Sequence, residues 1–296
     1  MSETMTSNRL VVGVDRSASA PSAVAWAARW ASARGVPLTL LTAVPPVVID
    51  PGGVTMVTGD MQEAAQRRAG EHLTQVRDEV VGRHPSLEVH LVVADTVAGQ
   101  ALTDASGPDQ LVVVGTHART GLLSRVMAST ADQVATHARG PVVVVPEGEG
   151  EPRTGPMVVG VDASAAAMAA LEVACGIAAA DGTPLLALHA WDLDYGWAAA
   201  PVGIEQNEIR TMLENERGRL AGDVEAVAGR FSGVEIETQI QRDSPAHALV
   251  EASQTASLVV VGSRGRGGFA GLLLGSTSRK VLHGSACPVI VVPARG

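Results

Sequence analysis

The sequence predicts an α/β fold made of two tandem, doubly wound, five-stranded parallel-sheet domains. Three observations carry that prediction. The chain repeats itself, apolar runs alternate with helical patterns inside each repeat, and there are almost no aromatic rings to build another kind of core. "RLVVGVDRSASA" near the start returns as "PMVVGVDASAAA", setting Asp15 against Asp162. The same 147-residue step relates Pro37 to Pro184, Gly115 to Gly262, Ser129 to Ser276 and Pro141 to Pro288. A constant step over nearly the whole repeat leaves no room for net insertions, so each half is expected to be the same folded unit. The repeat is far longer than a solenoid unit, which makes it a domain. The expected domains are residues 1–147 and 155–296, with a linker at 148–154 inside the acidic, Gly- and Pro-rich stretch "PEGEGEPRTGP".

Within the first half the elements follow in order. The apolar run "LVVGVD" reads as a strand. A helix follows from Pro21 to Arg34, where Val24, Trp26, Ala27, Trp30 and Ala31 recur at three- and four-residue steps. Ser19 is its expected cap, with Pro21 tolerated in the first turn. "VPLTLLTAV" is a second strand, Met61 to Arg83 a long helix, "LEVHLVVA" a third strand and Val97 to Ser106 a short helix. "QLVVVG" is the fourth strand, Ser129 to His137 the last helix and "PVVVVP" the last strand, and the second half repeats this order. Continuous apolar strands separated by helices imply a parallel sheet covered on both faces.

Composition narrows the function. The chain has 296 residues, 46% hydrophobic and only 2% aromatic, so its core must be built from Ala, Val and Leu, which suits close helix-on-sheet packing. A net charge of −9, with Lys280 the only lysine, argues against a nucleic-acid partner, whose phosphates demand a positive footprint. Two cysteines, Cys175 and Cys287, fit neither a zinc site nor a disulfide framework. The start "MSETMTSNRL", with an acid and no apolar stretch, does not read as a signal peptide, and no apolar run approaches a bilayer span, so a cytoplasmic protein without membrane contact is expected.

Open parallel sheets take ligands beyond the carboxyl ends of their strands, where strand order reverses. In the second half the first strand ends in "GVDAS", with Asp162 and Ser164, and the fourth in "GSRGRGG". Serving one site requires the two strands to be neighbours, as in the order 3-2-1-4-5. The glycine loop is not a Walker A motif, because no lysine follows its glycines at the required place, and it follows the wrong strand for a dinucleotide fingerprint. Its spacing is Gly262, two residues, Gly265, nine residues, Gly275, then Ser276 and Thr277. Gly262 and Gly265 are expected to let the backbone turn and approach an anion, the helix opening at Gly275 offers its positive end, and Arg264 and Arg266 add charge. The Asp on each first strand could equally be a helix-proximal cap. His189 reads as a satisfied buried histidine, His117 as an exposed loop residue, Trp26 and Trp30 as core, and Cys287 as packed. Trp191, Tyr195 and Trp197 follow the second strand of the second half.

Two copies of a unit with V-G-V-D on its first strand and G-x2-G-x9-G-S after its fourth resemble the universal stress protein family, in its tandem two-domain form. The resemblance implies an adenine nucleotide α hydrolase-like fold and an adenine nucleotide ligand, ATP with Mg2+. It implies that Asp162 faces the ribose, that the backbone at Val161 and Ala190 holds the adenine, and that Gly262, Gly265, Gly275, Ser276 and Thr277 take the phosphates. In the first half it points to Val14, Asp15, Ala43, Gly115, Ser129 and Thr130. There Ala118 and Ala128 replace the second and third glycines, which implies weaker phosphate binding. It implies pairing of the final strands between domains, and a homodimer. The function expected is a nucleotide-dependent stress-response or signalling regulator. The alternative is a slow nucleotide hydrolase or nucleotidyl transferase in the same cleft, although no acid-base or nucleophilic set accompanies the loop.

Overall fold

A computed structural model describes residues 9–46, 59–116, 129–149, 152–191, 206–265 and 274–294. The chain divides into two compact units, Thr6–Gly150 and Glu151–Gly296. The first contains β1 (Arg9–Gly13), α1 (Ala20–Arg34), β2 (Leu38–Ala43), α2 (Gly59–Arg83), β3 (Val89–Ala94), α3 (Ala98–Asp104), β4 (Gln110–Thr116), α4 (Thr130–His137) and β5 (Val142–Pro146). The second contains β6 (Met157–Gly160), α5 (Ala165–Asp181), β7 (Leu185–Trp191), α6 (Gln206–Ala228), β8 (Ile236–Arg242), α7 (Pro245–Ala252), β9 (Leu258–Gly262), α8 (Ser276–Gly284) and β10 (Val289–Val292).

All pairings within each unit are parallel. β1 lies between β2 and β4, β2 also pairs with β3 and β4 with β5, giving the order 3-2-1-4-5. β6, β7, β8, β9 and β10 repeat the order in the second unit. The central strands are Val- and Leu-rich because helices cover both their faces. Val12, Leu111, Val112, Val113, Val159 and Val260 are all at 0% exposure. The outer strands β3 and β8 instead alternate between half-buried and exposed positions.

The shortage of rings is met by alanine. Ala23, Ala27 and Ala31 of α1 and Ala170, Ala174 and Ala178 of α5 recur at four-residue steps and are buried, which lets each helix lie close to its sheet. Both helices stop at a left-handed glycine, Gly35 with φ 62° and Gly182 with φ 63°, whose N–H returns to carbonyls of the last turn. Trp26 is core. Trp30 is only half-buried, stacked on Trp26 at 4.8 Å between ring centroids, with the Arg34 guanidinium 3.5 Å above it.

Ser19 occupies the cap position of α1, but its side chain accepts no bond there, which corrects the expected cap. Its backbone is already right-handed, with φ −85° and ψ −17°, so the hydroxyl is turned away from the first-turn amides. Cys175 and Cys287 are both buried, and burial pushes the Cys175 thiol up to about 11. Just ahead of β6, the Arg153 guanidinium donates to the carbonyls of Ser253, Gln254 and Ala286. Among the described residues no helix is long and apolar enough to cross a membrane.

Candidate functional site

The switch point of the second unit lies between β6, which turns toward β7, and β9, which turns toward β10. A cavity opens at the carboxyl ends of these strands. One part of its wall is apolar, formed by Val161, Leu188, Ala190, Pro245, Leu249 and Val261. The other part is polar, formed by Asp162, Arg264, Gly265, Thr277 and Ser278. Asp162 is the only carboxylate among the described lining residues.

The turn after β6 holds Asp162 in place. Val161 donates its N–H to Leu188 O at 3.0 Å and accepts from His189 Nδ1 at 2.6 Å. Asp162 Oδ1 accepts the Ser164 N–H at 2.9 Å, an Asx turn. Between them Ala163 has φ 57°, the one non-glycine residue with positive φ among the described residues. Ser164 then caps α5, accepting from Ala167 N at 3.2 Å, and its hydroxyl donates to Arg264 O at 3.3 Å. That last bond ties the turn after β6 to the loop after β9.

The motif glycines act through space rather than through φ. None of Gly262, Gly265 and Gly275 has a positive φ. A Cβ on Gly262 would lie 2.6 Å from the Ala166 carbonyl carbon, so this glycine admits the first turn of α5 onto the end of β9. A Cβ on Gly265 would lie 2.5 Å from Asp162 Oδ2. Gly275 differs, since its nearest neighbour would be Ser263 O at 3.4 Å and its φ is −72°. Among the described residues nothing would crowd a methyl there. Gly275 N–H donates to Ser263 O at 2.7 Å, which closes the loop at its base. Among the described residues no side chain caps α8, and Thr277 and Ser278 of its first turn line the cavity. Ser278 Oγ donates to Gly262 O at 2.7 Å and is buried.

Of the residues expected from the sequence, Val161, Asp162, Ala190, Gly262, Arg264, Gly265 and Thr277 line the cavity, and Gly275 and Ser276 open the helix beside it. Leu188, Pro245 and Leu249 were not legible. They reach the cavity only because β7 and α7 flank β6, although Pro245 and Leu249 share a helix face at a four-residue step. His189 is buried and bonded, as the sequence implied. Trp191 ends β7, while Arg266, Tyr195 and Trp197 lie outside the described residues.

The first unit keeps one part of this arrangement and alters the other. Val14 N–H donates to Leu41 O at 2.8 Å, and Ala43 ends β2. A Cβ on Gly13 would meet Leu102 Cδ1 at 3.0 Å, as one on Gly160 would meet Leu249 Cδ1 at 3.1 Å, so the apolar corner is built alike. Gly115 again admits a helix start, with Ser19 Oγ 2.6 Å from where its Cβ would be. Asp15, however, accepts from both the N–H (2.9 Å) and the hydroxyl of Ser17. At α4 a capping box forms. Ser129 N–H and Oγ reach Asp132 Oδ2 at 3.3 and 3.0 Å, and Asp132 N–H donates to Ser129 Oγ at 3.1 Å. Ser129 and Thr130 thus open a helix whose start is occupied by the protein's own carboxylate, and Asp132 is 6% exposed. His117, Ala118 and Ala128 lie outside the described residues.

Among the described residues no group of three or more His, Cys, Asp or Glu side chains could hold a metal ion. A model of the universal stress protein family matches residues 6–146 and again 154–293. A universal stress protein of Mycolicibacterium smegmatis is 37% identical over 305 residues, spanning 100% of both chains. One from Mycobacterium tuberculosis is 36% identical over 316 residues, covering 98% of this chain and 96% of the relative. The crystal structure of a universal stress protein from Archaeoglobus fulgidus superposes with a TM-score of 0.68 over 98% of this chain and 97% of that one, and at 19% identity it speaks for the fold alone. With the family pattern met once in each half, over nearly all of both, the chain belongs to the universal stress protein family.

Proposed function

We propose that the second domain binds an adenine nucleotide, ATP with Mg2+, and that its occupancy lets the chain act as a regulator in a stress or signalling response. The observation that carries this reading is the meeting, in one cavity, of an apolar slot, a held carboxylate and an uncapped helix start. The slot of Val161, Leu188, Ala190, Pro245 and Leu249 suits a flat base. Asp162 beside it suits a ribose hydroxyl, because an ionised carboxylate is an acceptor only and the Ser164 N–H on its Oδ1 holds the group in place. The start of α8 suits phosphate, since the first-turn amides of a helix and its dipole favour negative charge. Gly275 supports that assignment, because the fold leaves room for a side chain there that the sequence does not use. Mg2+ would be held chiefly by the phosphates, as this ion commonly is, with few protein ligands.

The first domain is the weaker site in this reading. The Asp132 carboxylate already takes the Ser129 amide and hydroxyl that a phosphate would use. A homodimer through edge strands is part of the same proposal, and light scattering at micromolar concentration tests it: a monomer alone would remove it.

Mass spectrometry of small molecules that co-purify with the protein, followed by calorimetric titration with ATP and Mg2+, tests the ligand. The expected outcome is an adenine nucleotide released intact and one tight site per chain. Absence of binding, or equal affinity for a ligand without a base such as triphosphate, would overturn the reading.

A further inference from the structure

Leu188 and Ala190 line the cavity, and alternation along β7 turns His189, between them, to the opposite face of the sheet. It is 7% exposed, and its Nδ1 lies 2.6 Å from the Val161 carbonyl oxygen. A carbonyl can only accept, so Nδ1 carries the hydrogen, which fixes the tautomer. Val161 is thereby held at both of its polar groups, its N–H by Leu188 and its C=O by His189. The residues that follow need this support. Ala163 has φ 57°, a conformation that is costly for a non-glycine residue and persists only where neighbours enforce it. On one side of the strained residue stands Asp162, whose Oδ2 faces Gly265, and on the other Ser164, bonded to Arg264. In the first domain Thr42 stands where His189 does, Arg16 where Ala163 does, and Arg16 is not in the left-handed region. The ring latch and the left-handed residue thus occur together in the second domain.

We propose that His189 is a positioning residue for the nucleotide site: by holding the Val161 carbonyl it fixes the turn that presents Asp162 to the ligand. The inference rests on the nucleotide reading of the second domain. Its test uses the two amide replacements of histidine. The amide nitrogen of Asn falls near the place of Nδ1 and can donate to the same carbonyl, while that of Gln falls near Nε2 and cannot. ATP affinity is measured for His189→Asn, His189→Gln and His189→Thr, and again with Asp162→Ala added to each. His189→Gln and His189→Thr should each lose about tenfold in affinity, the scale of one hydrogen bond, and His189→Asn less than about threefold. The loss should vanish when Asp162→Ala is already present, because the latch acts through that carboxylate. Equal losses for Asn and Gln, or a Gln loss that persists beside Asp162→Ala, would mean that His189 serves packing alone and would overturn the proposal. Amide NMR shifts of Asp162 and Ser164 give a readout that needs no ligand. They should move in the Gln and Thr variants and stay in Asn. If the parent binds no ATP while these shifts behave as stated, the nucleotide reading fails and the latch on the turn stands. If they do not move, the latch itself fails.

Discussion

The two domains are built on the same sheet plan and part company at its carboxyl end. Strand order, the alanine faces of α1 and α5 and the glycines ending those helices recur at the same 147-residue step, yet the turn after the first strand and the last helix start are built differently. In the first domain Ser129 and Asp132 close the helix start reciprocally. In the second the corresponding residues are Ser276 and Arg279, and the helix opens on a glycine with no side-chain cap among the described residues. The core is constrained by packing on all sides, so it tolerates little change, whereas the strand-end loops answer to whatever they bind. A self-satisfied helix start gains local stability, and an open one keeps amides for a ligand.

The sharpest way to break this contrast is Gly265→Val. Its Cβ would lie 2.5 Å from Asp162 Oδ2, so the branched side chain displaces that carboxylate and fills the loop side of the cavity. ATP affinity should fall at least about a hundredfold in calorimetric titration, a loss of roughly 3 kcal/mol. A parent-like affinity and stoichiometry would remove the glycine loop from the site.

The next test separates ligand from fold with one change in each domain. Gly275→Ala should leave thermal stability within about 0.5 kcal/mol of the parent, because the fold has room for the methyl, while weakening ATP binding about tenfold. Asp132→Ala should do the reverse, lowering stability by about 1 kcal/mol through the lost capping box and leaving second-domain affinity unchanged. Denaturant melts and titrations on both variants check the crossing. A glycine variant that destabilises without affecting affinity would make Gly275 a folding residue.

A smaller effect is expected at the strained turn. Ala163→Gly relieves a left-handed alanine and should stabilise the protein by up to about 1 kcal/mol, whereas Arg16→Gly in the first domain should destabilise it slightly, since no positive φ is relieved there. Chemical denaturation of the two variants, read against the parent, decides.

The smallest effect is a pH difference at the start of α7. His247 Nδ1 lies 2.6 Å from Asp243 Oδ2 in solvent, and this hydrogen bond raises the histidine above its ordinary 6.5 and lowers the aspartate below its ordinary 3.8. The histidine's contribution is complete below about 6.5 and is lost as pH rises through its raised folded value. The aspartate's contribution is present above its unfolded value and is lost as pH falls through its lowered folded value. In the first domain the corresponding pair is Thr96 and Gln100, 3.4 Å apart and without an ionisable group. An NMR titration should place the His247 midpoint above 6.5, and Asp243→Asn should bring it down.

What the sequence disclosed follows from how local each signal is. The strands and helices were legible because two-faced burial writes continuous apolar runs and the chain writes them twice. The cap at Ser19 was misjudged because a serine before a helix does not reveal its backbone angle. The spacing of Gly262, Gly265 and Gly275 is silent in the same way, since it records that a side chain is missing and not whether φ or space requires it. The capping box was present in "STAD" from Ser129 to Asp132 and would have shown the first-domain helix to be self-satisfied. The apolar slot and the His189 bond join residues brought together by strand adjacency, such as Val161 and His189, which lie 28 positions apart, and no local pattern announces them.

Arg153 bears on proteolysis. Its guanidinium is committed to three carbonyls of the second domain, although it sits in a stretch whose composition reads as loose linker. Trypsin must draw an arginine side chain into its own pocket and hold the flanking backbone extended, so cleavage after Arg153 would first require all three bonds to be surrendered. A fragment begun at Gly155 would leave the Ser253, Gln254 and Ala286 carbonyls without that donor. The second domain therefore begins, for the purpose of cutting or expressing it, before Arg153 and not after it.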